Sequence, residues 1–141
     1  MSDPQLTRQI RRYCSDGYRL YDNAELRLAL RSFYQAWLSI PKPQTEHEEA
    51  GWVLTAIGDT YFKLRQYDQA IESLMSAMHC PEGDKSPFLY LRLGQCMWDT
   101  KREAEARKYL YKAYRMAQGA VLFEQEEKRY IEAIADLCQN D

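Results

Sequence analysis

The side chains of this sequence best suited to hold a metal or attack an electrophile are four cysteines and two histidines, and their spacing suits neither task. Cys14, Cys80, Cys96 and Cys138 contain no C-x-x-C pair, which argues against a zinc knuckle or a dithiol redox motif. They read as buried free thiols. His79 adjoins Cys80, but neighbouring residues at a helix end point apart, no further ligands follow, and Pro81 marks the pair as a helix terminus. His47-Glu48-Glu49 lacks the second histidine one turn on that a zinc protease helix needs, and reads as a charged first turn. Neither a phosphate-binding G-x-x-x-x-G-K-[ST] loop nor a G-x-S-x-G nucleophile elbow occurs. The expectation is a protein that is not an enzyme, with no catalytic residue, no metal site and no cofactor.

The elements that must position any other function belong to one folded domain. A chain of 141 residues with 45% apolar and 28% charged side chains can bury a core of its own. Nineteen basic against twenty-one acidic groups leave a formal charge of −2, so no global positive field exists to collect nucleic acid. No run approaches the length of apolar sequence that spans a membrane, and the opening residues show no targeting pattern. A cytoplasmic protein with no nucleic-acid or membrane partner is expected.

Glycine and proline punctuate helical patterns here. Asp3-Pro4 opens a helix to about Tyr21, and Asp22-Asn23 breaks it and caps a second that ends before Pro41. Thr45 with Glu48 has the form of a capping box for a third helix, which runs to about Leu64; Gln66-Tyr67-Asp68 opens a fourth. Ser86-Pro87 starts a fifth after Pro81-Glu82-Gly83-Asp84, and Thr100 with Glu103 offers a capping box to a sixth that ends near Gly119. In a seventh helix, about 121–139, Phe123, Tyr130, Ile131, Ile134, Leu137 and Cys138 line an apolar face. Glu124, Glu126, Lys128, Arg129, Glu132 and Asp136 form its solvated face, as suits the cap of a stack.

Superimposed, the hairpins repeat. Leu54-x-x-Ile57-Gly58-x-x-Tyr61 followed by Ala70, Leu74 and Ala77 matches Tyr90-x-x-Leu93-Gly94-x-x-Met97 followed by Ala106, Leu110 and Ala113. The two glycines stand 36 positions apart (94 − 58). The first hairpin shares Tyr13 and Gly17, then Ala29, Phe33, Ala36 and Pro41, with Asp16 and Leu20 departing from the pattern and an insertion at 42–49. A period near 34 residues with these small and large positions resembles the tetratricopeptide repeat family, and the size is similar to that of small bacterial three-repeat proteins. Leu64-Arg65-Gln66-Tyr67-Asp68-Gln69-Ala70-Ile71 looks particularly like the family's turn between paired helices. The resemblance implies an all-α fold: a right-handed superhelix of three helical hairpins plus a C-terminal capping helix. Residues 1–141 form a single domain in this reading, with repeats at about 10–43, 51–84 and 87–119 and the cap at about 121–139.

It also implies that the first helix of each hairpin lines a concave, partner-binding groove. Projected onto this sequence, that groove carries Tyr18, Tyr21, Trp52, Thr55, Asp59, Phe62, Phe88, Arg92, Gln95 and Trp98. So many aromatics at such positions point to a protein or peptide partner rich in apolar side chains. A competing reading has the C-terminal helix fold into the groove. The clamp with which some family members grip an acidic chaperone tail is missing: Arg92 is in place, but Cys14, Tyr18, Ala56 and Phe88 hold the other four positions. The function implied is a non-enzymatic protein-binding module, chaperone-like in the manner of three-repeat type III secretion chaperones. The alternatives are an immunity or inhibitor protein that binds a bacterial toxin, as resembling repeat proteins encoded beside toxin genes suggest, and a homo-oligomeric scaffold such as a homodimer.

Overall fold

The computed structural model describes residues 3–139, and all regular structure among them is helical. The chain forms two compact units, Met1–Asp84 and Lys85–Asp141. In the first, α1 (Pro4–Asp22) pairs with α2 (Leu26–Ser39) and α3 (Glu48–Lys63) pairs with α4 (Tyr67–Met78), while α3 also meets α1 and α2. In the second, α5 (Pro87–Asp99) pairs with α6 (Glu103–Met116); a 3-10 turn at Ala120–Phe123 and two short helices, α7 (Lys128–Glu132) and α8 (Ala135–Cys138), follow.

Each hairpin is built on one glycine. A Cβ on Gly17 would lie 2.4 Å from the Phe33 ring, one on Gly58 2.6 Å from Leu74 Cγ, and one on Gly94 2.7 Å from Leu110 Cγ. The large residue met in each case is flanked by alanines: Ala29-Phe33-Ala36, Ala70-Leu74-Ala77 and Ala106-Leu110-Ala113, all fully buried. These triplets are the buried residues of α2, α4 and α6. A bare Cα on the first helix thus receives a large side chain from the second, and alanines one turn to either side let the backbones close. The first helices α3 and α5 bury nearly all their middle residues.

The turns within hairpins repeat too, without glycine. Ala24, Arg65 and Lys101 take φ of 62°, 61° and 65°. The following amide donates back to the carbonyl five residues earlier: Glu25 to Leu20, Gln66 to Tyr61, Arg102 to Met97, at 2.8–2.9 Å. This is the 6→1 bond of the Schellman motif, which satisfies a terminal carbonyl at the cost of a left-handed residue.

Two of the expected caps are made: Asp3 accepts from the Gln5 amide at 3.0 Å and Ser86 from the Leu89 amide at 3.2 Å. The two capping boxes are not. Thr45 lies in a separate 3-10 turn and α3 starts after His47, while the Thr100 hydroxyl donates to the carbonyls of Cys96 and Met97. Asn23 terminates α1 but does not cap α2, whose preceding residue is Glu25. At Asn23 and Thr100 the Schellman turn fixes the entry to the next helix and leaves no cap position for the upstream polar residue.

The expected single helix at 121–139 is instead a 3-10 turn and two short helices. Phe123, Tyr130 and Ile134 are buried as the periodicity predicts. The break follows from Glu126: it turns inward to an arginine of α5, off the solvated face a continuous helix would give it.

The crossing and the turn make opposite demands on glycine. Gly94→Ala should lower stability by about 1–3 kcal/mol, because the new methyl meets the Leu110 backbone nitrogen at 2.9 Å as well as its side chain. Lys101→Gly should raise it by about 0.5–1 kcal/mol by relieving a left-handed lysine. Urea unfolding of the two variants checks both signs.

Candidate protein-binding faces

Six of the ten expected groove residues lie in the first unit and four in the second. On α1, Tyr18 packs edge-on against Tyr21, with centroids 5.7 Å apart, and against Phe33 at 4.9 Å. It remains 38% exposed. The Tyr21 hydroxyl donates to Asp59 Oδ1 on α3 at 2.8 Å, which satisfies a carboxylate that is only 2% exposed. On α3, Trp52 is 39% exposed and carries the Arg11 guanidinium 5.2 Å from its ring centroid. The Thr55 hydroxyl is turned back to the Gly51 carbonyl at 2.7 Å. Phe62 is half-buried, its ring 6.2 Å from that of Tyr67. The first unit therefore offers exposed aromatic surface from two helices held together by a buried tyrosine–aspartate bond.

The second unit differs. Phe88, Arg92, Gln95 and Asp99 follow one another at helical spacing along α5, and the chain's own C-terminal segment pairs with the last three. Arg92 stacks on Phe88, 4.7 Å to the centroid, and donates to Gln95 Oε1 at 2.8 Å and to Glu126 Oε1 at 2.6 Å. Gln95 Nε2 donates to the same carboxylate oxygen at 2.7 Å. At the end of α5, Asp99 receives Arg129 Nη2 at 3.0 Å and the Tyr130 hydroxyl at 2.5 Å. Trp98 is half-buried. Asp59, Arg92 and Gln95, expected as groove-lining contacts, are thus internally paired residues with at most 4% exposure.

The buried surroundings of Cys14 push its thiol up to about 11, and burial raises Cys80 as well, which makes both poor nucleophiles. Hydrogen bonding to Asp99 raises Arg129 further above its usual range. Arg107 on α6 grips Asp136 with two hydrogen bonds of 2.8 Å and donates to the Ala133 carbonyl at 2.7 Å; this pairing lowers the Asp136 carboxyl. No helix among the described residues is long and apolar enough to cross a membrane.

Residues 53–78 and 89–119 match the family model of the tetratricopeptide repeat. The α3–α4 and α5–α6 hairpins match the tetratricopeptide repeat, and the α1–α2 hairpin lies outside the matched residues. No curated protein matches the chain in sequence. Solved structures with the same fold include the Yersinia enterocolitica type III secretion chaperone SycD in complex with a peptide of the translocator YopD. It is 18% identical, with 96% of this chain and 94% of that one covered at a TM-score of 0.71. The Sgt2 tetratricopeptide domain of Aspergillus fumigatus is also 18% identical, over 96% of this chain and 80% of that one, with a TM-score of 0.71. The second such domain of human RPAP3, in complex with an HSP70 peptide, is 11% identical over 94% and 97%, with a TM-score of 0.67. These likenesses establish the fold.

Around the tetratricopeptide hairpins, sequence reasoning missed Glu126, Arg129 and Asp136 as structural partners. It placed all three on a solvated face, where Arg129 and Asp136 do lie and Glu126 does not, and each pairs with a charged residue of α5 or α6. The readable signal was complementarity: a carboxylate followed three residues later by a guanidinium, set against Arg92 and Asp99 in the opposite order.

Because the folded state lowers the Asp136 carboxyl, its pairing with Arg107 contributes fully above the ordinary value of 3.8 and is lost as pH falls below it. Thermal melting should show a gap between the native chain and Asp136→Asn that is constant from about pH 5 to 8 and closes as pH falls below that value.

Proposed function

We propose that this chain is a non-enzymatic module that holds a segment of a partner protein, in a chaperone-like way, against the α1–α3 face of the first unit. The observation that carries this reading is the pair of half-exposed aromatics, Tyr18 and Trp52, on a face braced by the Tyr21–Asp59 hydrogen bond. Rigid aromatic side chains bury large area with little loss of rotamer freedom and dominate interface energies. Arg11 over Trp52 adds a cation at the same face, suited to an acidic residue beside the apolar anchors of the ligand. The peptide complexes of SycD and RPAP3 support the reading, since the same fold is found with a peptide in each. A protein partner, with no nucleic acid and no membrane, agrees with the charge balance.

Affinity capture from the source cell identifies the partner, and calorimetry with single variants then tests the face. Trp52→Ala or Phe62→Ala should each weaken binding by about thirtyfold, on the order of 2 kcal/mol. Their folding should suffer less than that of Leu74→Ala, which empties a fully buried site. Unchanged affinity in both, together with loss of binding on reversing Glu72 or Lys108 on the second helices, would move the interface to the outer surface and favour the inhibitor reading.

A further inference from the structure

The segment after α6 is bound to the second unit in the way a ligand is bound. A part-buried carboxylate, Glu126, fills the polar site made by Arg92 and Gln95; a phenol and a guanidinium, from Tyr130 and Arg129, fill the site at Asp99. Tyr130 and Ile134 are fully buried anchors among these polar contacts, the arrangement of a protein interface with a few large residues and a charged surround. The segment contributes little order of its own: α7 has five residues and α8 four, too few for a helix to persist without its contacts. It folds back at Gly119, whose φ of 137° and ψ of −164° belong to a region open to glycine alone.

We propose that residues 120–138 are a reversible strap, an internal ligand that occupies the α5 face and can leave it by turning about Gly119. The site so vacated takes a protein segment of the same chemistry, a carboxylate placed a few residues before a tyrosine or arginine. Released, Arg92 regains solvent and a competing carboxylate regains access to it; docked, the strap keeps both from the partner. Everything needed for this lies in residues 85–141, so it stands or falls independently of binding at the α1–α3 face.

Two full-length variants test it from different sides. Glu126→Gln weakens the docked contact while keeping an acceptor for Arg92, and Gly119→Val strains the fold-back without touching any docked side chain. In hydrogen exchange, strap amides of the native chain should open about tenfold or more faster than those of α5 and α6, and faster again in both variants, with α5 and α6 protection retained. A fluorescein-labelled synthetic peptide of residues 120–139 should bind the Gly119→Val chain at least about tenfold more tightly than the native chain. The same peptide carrying Glu126→Gln should bind it more weakly. The proposal is overturned if strap, α5 and α6 exchange together in every protein, or if either variant loses α5 and α6 protection, since the strap is then core. Equal peptide affinity for the native and Gly119→Val chains overturns it as well.

Discussion

Close approach of two helix backbones at a single glycine is the constraint on which each hairpin depends. Because Gly17, Gly58 and Gly94 have no side chain, Phe33, Leu74 and Leu110 can sit where a Cβ would otherwise be. The alanines beside them follow from the same contact, since any larger residue one turn away would hold the helices apart. Buried apolar area then accrues along the whole length of the pair, at roughly 25 cal/mol for each Å² removed from water. The first helix of a hairpin is consequently held at a fixed depth and rotation, and the aromatic residues it carries inherit that placement. Rigidity of the candidate faces thus follows from the same packing: Tyr18 rests directly on Phe33, with ring centroids 4.9 Å apart.

The repeat made the hairpins legible in the sequence, for a definite reason. Small and large residues at fixed offsets are a direct record of helix crossing, and the crossing recurs at Gly17 even though the first hairpin departs from the pattern at Asp16 and Leu20. Helix ends were read less well. Thr45 and Thr100 both have the composition of a cap, yet neither caps a helix: Thr45 lies inside a 3-10 turn, and at Thr100 a left-handed residue followed by a five-back hydrogen bond already fixes the chain's direction. Nothing in the identity of Ala24, Arg65 or Lys101 announces that role; their equivalence appears only when the three turns are laid over one another.

The candidate faces were legible to the extent that they depend on helical spacing alone. Tyr18 and Trp52 lie at the surface as expected. Arg92, Gln95 and Asp99 occupy the expected side of α5, but what covers them was hidden by treating residues after Gly119 as one amphipathic helix. Periodicity assigns each residue to a wet or dry side and has no category for a charge that leaves the wet side to meet an opposite charge elsewhere. Glu126 does so, whereas Arg129 and Asp136 keep their place at the surface and pair from there. Burying Arg92 beside a carboxylate is costly unless the geometry is good, and here Arg92 donates to Gln95 at 2.8 Å and to Glu126 at 2.6 Å.

The division of labour between paired helices has a consequence for how the protein can be handled. Each of α4 and α6 commits three residues to the core, while α3 and α5 commit nine apiece. The exposed positions of α4 are therefore nearly free sequence space, where drift or deliberate recoding changes isoelectric point and solubility with little effect on folding, whereas α6 also uses Arg107 to hold Asp136. An exposed position such as Glu72 is a natural attachment point for a dye, a cross-linker or a surface tether. A label there reports on the molecule from the helix whose outward side the architecture does not use.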